Sequence, residues 1–423
     1  MIFNTPNPHC VERIVRLSES KVVSASDDIY DDRGFKLWAR GNPVSRDLQE
    51  KLVRRKLAKP LESSLIVDGA VTFADVVADC LQLIKEQSLL APFADNAGAR
   101  AVLSSASSLP ISSSLRLLLT STREDHAQSY LHVLHVVCIC AGLAAKLPIS
   151  TGDTQVLMTA ALLHDIGELY INPEYLCSSR RLEPHEWKHV VSHPRIGQLL
   201  IQELTTLPPA VGQCVAQHHE RLDGSGYPAQ VTADRLHRFS AWIAAADATT
   251  AILIRGGAGV AARVAMALRI VPEEYDRGVV SVIHQALHQS DNDTSDVGDC
   301  DCAKRATGIL DRLDQSLREA RAIVANNEHA FAVKIVDAME TVLNNLAKSL
   351  RSTGVLDAAS LGDAMSDPEL LSEMCLVVRE VEWRLRNLAR NLFLRAESHE
   401  DPATIMPLVS GLIAIMDDGS GVT

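Results

Sequence analysis

Along most of the chain apolar residues recur at helical spacing between short polar breaks, and only the first hundred residues depart from that rhythm. There, "GFKLWARG" sets Phe35, Leu37 and Ala39 against Lys36, Trp38 and Arg40, the two-residue period of a half-buried strand. Pro43 and Ser45 follow, with Ser45 placed to cap a helix through "RDLQEKLVRRKL". Residues 1–103 are therefore expected to form a small α+β module, and the Ser-rich "SSASSLPISSS" (104–114) a linker or exposed loop. Residues 120–296 read as nearly continuous helix broken by Gly/Pro turns, and the polar stretch "HQSDNDTSDVGDCD" closes that region. In residues 303–423, Leu310, Leu313, Leu317, Ala320 and Val324 keep a 3-4 spacing, as do Leu371, Met374, Val378, Val381, Leu385, Leu388 and Leu392. "SDPE" (Ser366 to Glu369) has the form of a capping box with Pro just inside a helix. Such seams suit an intramolecular helical bundle, regulatory or oligomerising, and leave a homodimer through the same helices open. The expected fold class is mainly α.

Composition narrows the function more than the fold. Aromatics are only 4% of residues, so the cores should be aliphatic. A net charge of -12 gives no electrostatic footprint for DNA, RNA or an anionic membrane. No apolar run looks long enough to span a bilayer, and "MIFNTPNPHCVERIV" lacks the basic-then-apolar layout of a secretory signal, so a cytoplasmic protein is expected. The nine cysteines are scattered, with Cys138, Cys140 and Cys214 in apolar helical stretches where thiols behave as small hydrophobes. "DCDC" (Asp299 to Cys302) lacks a partner pair and reads as a polar loop rather than a metal clip.

The chemistry is concentrated in the middle region. "SYLHVLHVV" supplies His132, "ALLHDIGELYI" supplies His164 and Asp165, and "HEWKHVVSHPRIG" supplies His193. "HHERLDGSGYP" supplies His218 and His219, and "AWIAAADATTAIL" places Asp247 in an apolar helix, where an ionised carboxylate needs a cation or donors. Imidazole suits borderline transition metals, and a carboxylate can bridge two ions held about 3.5–4 Å apart for phosphoryl transfer. An adjacent His-Asp pair splays its side chains about 100° apart on a helix, so the histidine takes one ion while the aspartate reaches across both. His126, His135, His185, His189 and His237 read as ordinary surface or half-buried histidines.

Together "HDIG", the histidine-proline pair of "HPRIG", "HHERLDGSGYP" and the later "AAAD" make residues 125–290 resemble an HD-GYP domain, the bacterial branch of the HD phosphohydrolases. The resemblance implies an all-α domain holding divalent iron or manganese and hydrolysing cyclic di-GMP to the linear dinucleotide or GMP. Carried over by position, it implies metal ligation by His132, His164, Asp165, His193, His218, His219 and Asp247. It implies a substrate lip at Gly224, Gly226, Tyr227 and Pro228, with Arg221 and Arg255 as further substrate-binding residues that position the dinucleotide and Asp165, Tyr227 and Glu168 at the reaction. GGDEF-domain proteins are the partners it suggests. The sequence departs from the family pattern where Glu168 replaces the lysine of "HDIGK", where Gln128 replaces a glutamate one turn before the first histidine, and where Thr250 and "RGGAG" replace a carboxylate and a basic segment. Two ions rather than three are expected, since a neutral amide at Gln128 binds a third poorly. A weakly active or inactive HD-GYP domain, serving as a cyclic di-GMP binding or protein-scaffolding module, is the alternative.

Overall fold

The first helix is set by Asn7, whose side-chain oxygen accepts from the backbone of His9 and Cys10, with Pro8 as its first residue. In the computed structural model, which describes residues 3–52, 55–176, 182–257, 259–288, 302–353 and 368–417, this helix is α1 (Pro8–Ser20). Two small antiparallel ribbons follow. β1 (Val23–Ala25) pairs with β4 (Leu65–Val67), and β2 (Ile29–Tyr30) pairs with β3 (Lys36–Trp38), the core of the anticipated strand. The helix anticipated after Ser45 is α2 (Arg46–Leu52).

Further helices are α3 (Phe73–Glu86), opened by a Thr72–Asp75 capping box, then α4 (Ala91–Ala94), α5 (Ala97–Ala106) and α6 (Ser113–Asp125). The Ser-rich stretch is not a linker. Its first residues finish α5, and Ser112 caps α6 by accepting from the Leu115 amide, so the serines close one helix and open the next. Next come α7 (Ala127–Lys146), α8 (Thr151–Leu163), α9 (Pro184–Val190), α10 (His193–Leu204), α11 (Pro209–Gln217), α12 (Arg238–Arg255), α13 (Val260–Arg269) and α14 (Arg277–His288). The last four are α15 (Cys302–Asn326), α16 (Ala330–Thr353), α17 (Pro368–Glu397) and α18 (Pro402–Met416). The polar break at 289–301, including Asp299 to Asp301, lies outside the described residues, as do Ser366 and Asp367 of the anticipated capping box.

One helix, α7, bears on the expectation that no apolar run spans a bilayer. By length and composition this helix could cross a membrane, although 67% of its apolar window is buried inside the protein. Cys10, Cys80, Cys138, Cys140 and Cys214 are buried free thiols, whereas Cys375 is disulfide-bonded.

Packing divides the chain into two compact units that run across the three sequence regions. The first comprises Met1–Cys177, His189–His219 and His237–Thr250, and the second Ser178–Lys188, Glu220–Leu236 and Ala251–Thr423. In the first, α1 packs on α6 and on the short 3-10 turn Ile166–Tyr170. Asn7 Nδ2 donates to the Tyr170 carbonyl at 3.2 Å, and Phe3 meets the Tyr170 ring edge-on at 5.4 Å. The second unit has an aliphatic core in which Leu313, Leu317, Ala320, Met374, Val378, Val381, Leu385, Leu388 and Leu392, the anticipated seams, are buried among one another.

Candidate metal centre

Three histidines owe their orientation to the same local device. His164 follows the last turn of α8, His193 opens α10 and His218 follows α11, and each ring Nδ1 lies beside the carbonyl three residues earlier: Ala161 at 2.8 Å, Val190 at 2.7 Å and Val215 at 2.7 Å. A ring nitrogen facing a carbonyl must carry the proton, which leaves Nε2 as a lone pair aimed inward. Gly167 sets the spacing. A Cβ there would run into the His193 carbonyl and lie 2.8 Å from the Gly197 amide, so the turn after Asp165 can sit against α10 only with glycine.

These rings converge on Asp165. Its Oδ2 lies 3.0 Å from His164 Nε2 and 3.7 Å from His132 Nε2, while its Oδ1 lies 3.3 Å from His193 Nε2 and 3.4 Å from His218 Nε2. Asp247 adds a second anion, with Oδ1 3.0 Å from His132 Nε2 and Oδ2 3.3 Å from His219 Nδ1. Two groups, Asp165–His193–His218–His219 and His132–His164–Asp165, have ligand atoms within 4.8 Å of one another. All seven anticipated ligands therefore lie in one cluster, within the first unit.

The donor set fits a metal. His164 Nε2 is buried with no hydrogen-bond partner, and His193 Nε2 and His218 Nε2 face each other at 3.2 Å. Two inward lone pairs that close repel unless a cation or proton stands between them. Burial pushes Asp165 up, but the neighbouring imidazoles, His164 first and then His193 and His218, hold it well below the usual carboxylate range. Burial and the neighbouring His218 push His219 down, so it is a neutral imidazole, the form that binds a metal.

A cavity of about 330 Å³ opens on this cluster, lined among others by Arg13, His126, Gln128, Asp165 and Glu168. Burial, then the charge of Asp165, pushes the Glu168 carboxyl up to about 7. Two residues here were not anticipated. Arg13 comes from α1, and His126, expected to be ordinary, is pushed down to about 4 by burial and by Arg13. No spacing in the sequence connects either to the motifs.

The remaining anticipated residues belong to the second unit. Gly224 has φ +79, the left-handed conformation that favours glycine. Glu220, fully buried, holds the turn by accepting from the amides of Ala229 (2.6 Å), Gln230 (3.1 Å) and Val231 (3.2 Å), a clamp readable in the motif but not anticipated. Gly226 is buried, Pro228 is exposed, and Tyr227 meets Trp187 edge-on at 5.6 Å. Arg255 is exposed at the end of α12. Arg221, expected to help position the substrate, is held within the second unit. Its Nε lies 3.6 Å from Glu274 Oε1 and its guanidinium stacks over Tyr275 at 4.9 Å, so its charge is already engaged. Glu274 is also held by Arg384 of α17 at 2.7 Å.

Comparison with known proteins agrees with this geometry. The family described as "HD domain" matches residues 110–276. A 3'3'-cGAMP-specific phosphodiesterase of Vibrio cholerae is 30% identical over 150 residues, covering 36% of this chain and 32% of that protein. A cyclic di-GMP phosphodiesterase response regulator of Xanthomonas campestris is 35% identical over 115 residues, covering 27% of this chain and 30% of that protein. A cyclic di-GMP phosphodiesterase of Pseudomonas aeruginosa is 28% identical over 138 residues, covering 33% of each. The chain spans about a third of the length of these curated relatives. With the histidine–aspartate cluster and the "HHERLDGSGYP" turn in place, residues 110–276 match an HD domain and carry the motifs expected of its HD-GYP branch.

Proposed function

We propose that this chain is a metal-dependent phosphodiesterase that hydrolyses a cyclic dinucleotide, with cyclic di-GMP as the first candidate and the linear dinucleotide or GMP as product. Asp165 carries the reading, because its two oxygens divide four histidines into two pairs. A carboxylate so placed suits two divalent transition ions, with Asp247 as a further anion between His132 and His219. Iron and manganese suit this mixture of imidazole and carboxylate. When bound, such ions supply Lewis-acid charge to the phosphoryl oxygens and lower the pKa of water.

The chain's own residues do the remaining work. Asp165 and the five imidazoles fix where the reacting phosphate sits. Glu168, in the same cavity with its carboxyl raised, holds or releases a proton beside that phosphate. The turn of Gly224, Gly226, Tyr227 and Pro228, clamped by Glu220, takes the nucleotide, with Arg255, exposed at the end of α12, as a cation offered to it. The relatives' printed activities on both cyclic di-GMP and 3'3'-cGAMP make either dinucleotide a candidate.

The full chain, loaded anaerobically with manganese or ferrous iron and given each dinucleotide, should yield linear product on chromatography. Elemental analysis should find about two ions per chain. Absence of both binding and turnover with either dinucleotide would sink the proposal. Binding without product would favour a scaffolding domain that engages a partner such as a GGDEF-domain protein, a reading motivated by the acid at Glu168 and the engaged Arg221.

A further inference from the structure

A permanent cation from the N-terminal module stands at the cavity of the metal centre. Arg13 lies on the inner face of α1, 5% exposed, and lines the same cavity as Asp165, Glu168 and Gln128. Its Nη1 meets His126 Nε2, but Nε and Nη2 are buried without a hydrogen-bond partner. A guanidinium cannot shed its charge at any ordinary pH and presents five N–H donors in a planar fork. Burying that fork with two nitrogens unsatisfied costs free energy, unless an acceptor reaches it. Glu168 and Asp125 stand near enough to act on it through their charge, yet neither accepts a hydrogen bond from it, and Asp125 Oδ2 is itself unpartnered. What the fork lacks is an anion with oxygens in one plane, at a place that opens on the reacting carboxylates.

We infer that Arg13 is a substrate-binding residue whose fork takes the non-bridging oxygens of a phosphodiester of the cyclic dinucleotide. The inference rests on the function proposed above and makes the N-terminal module part of the binding site. His126 holds the near edge of the guanidinium and leaves the other nitrogens for the ligand. The alternative partner is Asp125, the other unsatisfied group lining the cavity.

The test uses the full manganese-loaded chain and a phosphorothioate analogue of cyclic di-GMP that resists hydrolysis, with Kd read by calorimetry. Arg13→Met keeps the stem and removes the orphaned donors. It is expected to weaken binding roughly 10–100-fold, the loss of a charge-assisted hydrogen-bonded contact, and to raise KM for cyclic di-GMP in step. Bound metal should be unchanged and the melting temperature of the ligand-free protein not lowered. Arg13→Lys should bind between the two, since charge survives without the fork. Wild-type Kd in Arg13→Met would overturn the assignment, and so would loss of metal, which would make Arg13 a support of the centre. Matching losses of stability in Arg13→Met and Asp125→Asn at unchanged Kd would assign the guanidinium to Asp125 instead. If Arg13→Met fails to fold, Arg13→Lys decides, and wild-type Kd there overturns the inference. A wild-type chain that neither binds nor turns over cyclic di-GMP or 3'3'-cGAMP would refute the proposed function itself, a result distinct from all of these.

Discussion

In the first unit Asp165 and Asp247 are ringed by imidazoles whose ligand atoms crowd together, with one ring nitrogen left unsatisfied. In the second unit the buried acid Glu274 has the opposite company, gripped by Arg384 at 2.7 Å and approached by Arg221, while Arg384 also donates to the Ala267 carbonyl and pairs with Glu380. Both arrangements place charge where water is scarce. The second neutralises itself, and the first does so only when something positive enters. Buried charge that is complete marks structure, and buried charge that is incomplete marks a site.

The largest effect expected from breaking this contrast is at Asp165. Asp165→Ala removes the group both histidine sets face, so bound metal by elemental analysis and phosphodiesterase activity should fall to background while the far-ultraviolet circular dichroism persists. Full metal content and turnover would place the site elsewhere.

Arg384→Met tests the self-neutralising side. It leaves Glu274 buried with only the longer Arg221 contact, and should destabilise the protein by about 3 kcal/mol in urea unfolding. Adding Glu274→Met should restore most of that loss. Metal content is the discriminating measurement: retained metal keeps the two sets of buried charge separate, and lost metal would join them. A chain ending near Val297 would also lose Arg384 and should show at least the same destabilisation.

Gly167→Ala should cost roughly 1–3 kcal/mol, because the new methyl meets the His193 carbonyl and nothing there is a flexible side chain. Metal content should fall with it, since the same backbone approach aligns Asp165 with His193. Unchanged metal would show that the loop can slide without disturbing its ligands. The smallest effect is one of stoichiometry. Gln128, on the cavity wall, becomes an anion in Gln128→Glu, and the ion count should rise from about two toward three per chain.

The cluster was legible because its ligands come in short local motifs. "HD" and "HH" put two ligands on one turn, and an aspartate inside an apolar helix announces its own need for a partner. The heptad seams were legible for a similar reason, since periodicity reports one buried face. What stayed hidden depended on contacts between distant segments. Nothing in "CVERIVRL" distinguishes Arg13 from a solvated arginine, and nothing in "REVEWRLRN" says that Arg384 will meet Glu274. The apolar length of α7 was underread because His132 and His135 interrupt the run. His135 is satisfied on both sides, by the Leu131 carbonyl and by Gln87 at 2.8 Å each, and so fits an interior helix.

The seat of α1 on the turn after Asp165 bears on how this chain can be cut and recombined. Asn7 and Phe3 both hold Tyr170, and Tyr170 in turn gives its hydroxyl to the buried Glu62. A fragment begun at residue 120 to isolate the catalytic motifs would strip these partners from the segment that carries Asp165, and would leave the aliphatic underside of that segment in water. The N-terminal module is therefore not a detachable sensor on a portable enzyme cassette. In grafting or domain-shuffling work the smallest exchangeable piece begins ahead of α1 and includes Phe3 and Asn7.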